Sequence, residues 1–201
     1  LDAYTTTDRY PNAQRVSIDD DLPADSGLRG RSFNYARNSV KATVDAYDGT
    51  VTLYVTDDSD PLIVAYQRAF PDLFTPISEA DPTLVDHFRY PEDLFRVQTV
   101  MWGRYHVDDP GTFIQGDNRW EVAAESAAQA ETGDTPATSA PETTSPVDQQ
   151  ETQGRIAPTY QLLRLPGAEH QDFVLLRPFT PRDRPQLSSF LTATPDGDDW
   201  I

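Results

Sequence analysis

Three histidines, His87, His106 and His170, are the only imidazoles in a chain without a single cysteine. The missing thiols remove disulfides, thiolate zinc sites, iron–sulfur clusters and cysteine nucleophiles from consideration. His170 closes the loop Pro166-Gly167-Ala168-Glu169-His170 and reads as a solvated side chain. Asp86-His87 and His106-Val107-Asp108-Asp109 offer nitrogen and oxygen ligands on either side of a helix that begins near Asp93. A metal or acid–base centre would therefore draw on His87, Asp93, His106 and Asp108. Such a centre would act as a hydrolase only if the chain doubled back, because fifteen helical residues rise about 22 Å. The competing reading gives each histidine a local role. His106 is favoured by the dipole at a helix C-terminus, and His87 packs beside Phe88. We adopt that reading, with no metal, no cofactor and no catalytic residue assigned.

Other chemistries lack their signatures. There is no His-Glu-x-x-His pair, no Gly-x-Ser-x-Gly elbow and no glycine-rich phosphate or dinucleotide loop. An acidic chain offers too many carboxylates for a glycosidase pair to be singled out. Arg37, Lys41, Arg89, Arg96 and Arg104 are expected to pair with neighbouring carboxylates rather than bind anions. Asp19-Asp20-Asp21 lacks the spacing of a calcium loop and reads as a solvated charge run.

The composition sets the frame for these residues. The 201-residue chain carries 33 acidic against 16 basic side chains, a formal net charge of -17. That balance argues against nucleic acid and anionic lipid head groups as partners. Apolar residues make up 37%, below the ~45–50% usual for globular chains, so part of the chain is not expected to pack. No stretch of ~18 apolar residues is present to span a bilayer, and no signal peptide opens the chain. With no initiating methionine, the sequence reads as a fragment of something longer.

Four regions follow. Residues 1–33 read as an irregular arm rich in loop signals, and residues 34–120 as a helix and strand core. Residues 121–154 lack Lys, Arg and aromatics, and read as a disordered acidic linker. Residues 155–201 supply a β-hairpin and a C-terminal element that complete the same domain.

Within the core, Asn38-Ser39 resembles an N-cap, and Val40, Val44 and Tyr47 follow at helical spacing up to Asp48-Gly49. Thr50 to Thr56 alternates as a strand. Asp60-Pro61 and Asp81-Pro82 each open a helix, the aspartate capping and the proline filling a first position that needs no N–H, and Asp109-Pro110 begins a last short turn. A longer helix follows Pro91, with Leu94, Val97, Gln98, Met101 and Tyr105 on one face and Phe95 and Trp102 widening it. Strands are expected over 158–165 and 172–176, joined as a hairpin. Residues 185–193 fit a short helix or a strand, the helix preferred because Pro185 can start it.

Several segments together resemble the UPF0182 family of uncharacterised membrane proteins. They are Tyr4-Thr5-Thr6-Thr7-Asp8-Arg9-Tyr10-Pro11, the run from Asn34 to Gly49, Phe70-Pro71-Asp72-Leu73-Phe74, and His87 to Phe95. Tyr105 to Pro110, Asp117-Asn118-Arg119-Trp120 and Phe173 to Phe179 continue the resemblance in order. It implies a parent, mainly from actinobacteria, with several transmembrane helices and a large extracytoplasmic region from which this chain comes. It carries no known activity and no catalytic residue. The acidic linker and the segment Pro185 to Phe190 depart from the family pattern.

The expected architecture is α+β, short proline-initiated helices on a small antiparallel sheet. The preferred function is a non-enzymatic envelope module for assembly or ligand binding, partnered by the rest of its parent. The alternative is a metal-dependent or acid–base hydrolase acting on envelope material.

Overall fold

The computed structural model describes residues 1–16, 18–124, 155–182, 184 and 186–194. They form an α+β architecture of two four-stranded sheets. The first sheet orders β1 (Asp2–Thr7), β2 (Tyr35–Val44), β3 (Val51–Val55) and β4 (Phe74–Pro76), antiparallel except for the β3–β4 pair. Helix α1 (Pro61–Ala69) connects β3 to β4. Three further helices follow, α2 (Pro82–Val85), α3 (Glu92–Tyr105) and α4 (Pro110–Gln115).

The second sheet is built on the long strand β7 (Asp172–Pro181), paired antiparallel with β5 (Trp120–Val122), β6 (Thr159–Leu163) and β8 (Ser189–Ala193). Leu175 pairs with both β6 and β8, and Phe179 with both β5 and β8. Strand β8 therefore holds one edge of β7, while β6 and β5 divide the other.

Helix α3 sits between the sheets and uses two faces. Leu94, Val97 and Met101 lie on the expected apolar side: Leu94 and Val97 are buried, and Val97 and Met101 pack with Ile18, Leu22, Leu28 and Phe33 of the arm. A second face, Phe95, Thr99 and Gly103, is also buried. It meets Leu175, Arg177 and Phe179 of β7 in step. Four helical residues rise about 6 Å and two strand residues about 6.6 Å, so alternate strand side chains match successive helical turns.

The three Asp-Pro starts are as expected, with Asp60, Asp81 and Asp109 accepting from the backbone N–H of Leu62, Thr83 and Thr112. Other expectations are corrected. Residues 38–47 are not helical; 35–44 form β2, and the supposed apolar stripe does not share a face, with Val40 buried against Val55 and Ile63 while Val44 and Tyr47 are exposed. The reason is long-range pairing, because β2 bonds to both β1 and β3 and central pairing outweighs a helical spacing. The arm is not irregular throughout. Its first residues are β1, and Ile18, Leu22, Leu28 and Phe33 supply a core cluster.

Residues 189–193 are strand β8 rather than helix, captured by the open edge of β7. The expected linker began at 121, yet Glu121 and Val122 lie in β5 and Ala124 bridges Arg155. Residues 125–154, to which the disordered linker was assigned, lie outside the described residues.

Candidate functional site

Two buried polar nodes fix the frame. Asp60 has no exposed surface, although it caps α1. Its Oδ2 accepts from Thr5 Oγ1 at 2.5 Å and Ser39 Oγ at 2.6 Å, and its Oδ1 from Tyr35 Oη at 2.8 Å. Burial pushes this carboxyl up, but the bonds from Ser39, Thr5, the Leu62 amide and Tyr35 outweigh it and hold it below the usual range. The Tyr35 phenol is pushed up to about 12 by burial and by its bond to Asp60. The β1–β2 register makes this convergence possible. Ala3 to Thr5 is two residues, whereas their partners Val40 to Arg37 span three, so β2 bulges at Asn38–Ser39. Ser39 reaches Asp60 as a result, and Asn38 is buried with its Nδ2 donating to the Ala3 carbonyl at 3.1 Å.

The second node ties the arm to the other sheet. Arg177, fully buried on β7, donates Nη1 and Nη2 to the two carboxylate oxygens of Asp21 at 2.6 Å each. It also donates to Thr99 Oγ1 at 2.8 Å and to the Ile156 carbonyl at 3.0 Å. Asp21 is therefore no part of a solvated charge run, and Asp19 accepts from the Gly30 amide. A bidentate carboxylate–guanidinium pair is among the strongest polar contacts a protein makes. Nothing local in an Asp triplet signals it; the partner lies 156 residues away.

The basic residues divide. Arg37 pairs with Asp57, Lys41 with Asp2, and Arg96 with Glu92. Arg89 instead covers the rings of Tyr160 and Phe173, and Arg104 those of Tyr105 and Phe113.

The four candidate metal ligands are not brought together. His87 is exposed in the turn after α2, its Nδ1 against the Thr83 carbonyl at 2.6 Å. His106 caps α3 at the other end, with Nδ1 near the Gly103 and Trp102 carbonyls and its ring stacked 3.9 Å from Trp120. The fourteen residues of α3 separate them. Asp93 lies in the first turn of α3, accepts from Ser26 Oγ at 2.7 Å, and lines an acidic cleft with Asp2, Asp25 and Glu92. Burial holds its carboxyl above the usual range, against the Ser26 bond. Asp108 is exposed beyond the helix. Among the described residues no three His, Asp or Glu side chains are arranged to hold a metal ion.

The surface offers a different kind of site. An apolar groove of about 400 Å³ runs between α3 and β8, lined by Tyr90, Phe95, Met101, Trp102, Tyr105 and Leu191. Within it Tyr90 Oη donates to Gln98 Oε1 at 2.7 Å. What faces solvent is mostly apolar, with Trp102 and Tyr105 each half exposed. Trp102 was legible as a flank of the helical stripe, but its exposure was not. On a complete surface such aromatics mark a contact site.

These features define an α+β module whose polar groups hold its own frame together and whose open face is hydrophobic. Residues 1–200 match the model of the uncharacterised protein family UPF0182, and the chain belongs to that family. Similar proteins include a UPF0182 protein of Nocardioides sp. at 40% identity over 98% of this chain and one of Prochlorococcus marinus at 40% over 100%. Another, from Methanospirillum hungatei, is 35% identical over 98%. The family thus spans diverse bacteria and archaea, which corrects the expectation of a mainly actinobacterial group. The chain spans about a fifth of the length of these relatives, 18%, 18% and 19%. No solved structure matches. Among the described residues no helix is long and apolar enough to cross a membrane.

Proposed function

We propose that this chain is a non-enzymatic, extracytoplasmic assembly module of a multi-pass membrane protein, and that it docks other segments of its own parent in the α3–β8 groove. The observation that carries this reading is the groove itself. Trp102 and Tyr105 stand half exposed on a segment that is under a fifth of the related proteins. Aromatic side chains over an apolar floor suit a protein segment better than a charged solute. The net charge of -17 fits a region away from anionic lipid head groups. The family resemblance supports the extracytoplasmic placement, on which a cysteine introduced at exposed Glu169 should react with an impermeant reagent in intact cells.

The test of docking is association between this chain and the remainder of its parent, made as two polypeptides. Trp102→Ala should weaken it by about 2 kcal/mol or more, with the circular dichroism of the chain unchanged. Equal affinity for wild type and Trp102→Ala would refute the groove as the docking face.

A further inference from the structure

The α3–β8 groove does not stop at α3. A second apolar groove of about 340 Å³ lies between α3, β2 and the arm, and Gln98 and Met101 line both. Buried Phe33, Leu94 and Val97 wall the second groove, with Val16 and Ala36 beside them. The two meet over half-buried Gln98 and Met101 and form one trough across α3, with β8 on one bank and β2 on the other. The charged side chains of its lining, Arg37 and Asp57, are paired with each other at 2.7 Å, so the trough offers no unpaired charge to a solute.

Gln98 places one polar group where the grooves meet. Its Oε1 accepts from Tyr90 Oη at 2.7 Å, and its Nε2 has no hydrogen-bond partner among the described residues. A primary amide carries two N–H donors, and covering them with a purely apolar surface leaves them unpaired at the full cost of their desolvation. Whatever fills the trough must therefore bring an acceptor to its middle and apolar groups to either side. An extended polypeptide does this with its ordinary parts, a main-chain carbonyl in the middle and side chains before and after it. A helix does not, because its carbonyls are already bound within its own backbone.

We infer that one continuous, extended stretch of the parent lies across α3 and fills both grooves. A main-chain carbonyl of that stretch accepts from Gln98 Nε2, and apolar side chains sit against Trp102 on one side and Phe33 on the other. The related proteins are about five times as long as this chain, so most of the polypeptide able to supply such a stretch lies outside it. This extends the docking proposed above, on which it rests, from one groove to two filled by a single segment.

The photo-crosslinking residue p-benzoylphenylalanine tests that continuity in the intact parent. It is placed either at Gln14, exposed on the β2 side, or at Tyr105 on the β8 side. Mass spectrometry should find both crosslinks in one stretch outside residues 1–201, within about ten residues of each other, which when extended reach about 35 Å. Gln98→Glu keeps the acceptor for Tyr90 and removes the donor. It should weaken association of the chain with the remainder of its parent by at least about fivefold, with circular dichroism unchanged. Crosslinks from 14 and 105 in two separate stretches, no crosslink from 14, or equal affinity for Gln98→Glu would overturn the inference and leave docking in the α3–β8 groove standing. Crosslinks from both positions to residues 195–201 would overturn it as well. No crosslink from either position, together with no association, would overturn the docking reading and this inference together.

Discussion

Removing Asp21 should cost this protein a large fraction of its stability. Arg177 places its guanidinium in a site where its side chain is 1% exposed, and Asp21 is its only carboxylate partner among the described residues. Asp21→Ala deletes both 2.6 Å bonds and leaves the guanidinium with only Thr99 and the Ile156 carbonyl. Breaking a buried pair by removing one partner typically costs about 3–5 kcal/mol. Small proteins have about 5–15 kcal/mol in total, so the variant should lose about a fifth of its stability or more. The pair also joins the arm to β7, so the loss should appear as one cooperative transition at lower urea, with an unchanged slope. Replacing both partners, Asp21→Leu with Arg177→Met, should recover most of the loss, since the apolar pair leaves no buried charge. A cost below about 1 kcal/mol for Asp21→Ala, the range of an exposed pair, would refute the buried node.

Three further outcomes follow from single contacts. Gly103→Ala should destabilise by about 1–3 kcal/mol in thermal melts despite alanine's better helix propensity, because the added Cβ would lie 2.6 Å from the Trp120 carbonyl oxygen. The Asp60 carboxyl is held low in the fold, so its stabilisation is present above the unfolded carboxylate pKa of about 3.9 and is lost as pH falls through the folded value; the gap between wild type and Asp60→Asn should close on acidification in urea titrations. Asp93 behaves oppositely. Its raised folded pKa means that ionisation costs stability as pH rises, so Asp93→Asn should stabilise the protein at neutral pH and make no difference below about pH 3.

What the sequence made legible was local. Asp-Pro pairs declare helix starts because the cap and the missing N–H act within three residues, and the three starts stand where they were read. The alternation of 51–55 and the hairpin of β6 and β7 were equally plain. Strand β2 was not. Its interior holds Asn38, Ser39 and Lys41, buried polar residues that interrupt the expected alternation. Each is tolerated because distant groups meet it: Ala3 for Asn38, Asp60 for Ser39, Asp2 and the Arg89 carbonyl for Lys41.

The second face of α3 was hidden for a similar reason. Thr99 and Gly103 do not look like core until Arg177 and Trp120 arrive from β7 and β5. The histidines were read from their neighbours, and local carbonyls do meet them. Asn38, whose buried Oδ1 has no hydrogen-bond partner among the described residues, carried no signal in the sequence, because its setting depends on a bulge.

The assembly reading is tested most directly by solvent access to Trp102 inside the intact parent. The chain contains no cysteine, so Trp102→Cys and Glu169→Cys each place one thiol at a known position, followed by mass spectrometry of the labelled peptide. In the isolated chain both should react freely, as the half-exposed Trp102 and exposed Glu169 sites suggest. In the parent, labelling at 102 should slow by at least tenfold while labelling at 169 stays fast. Labelling at 102 as fast in the parent as in the isolated chain would contradict the account.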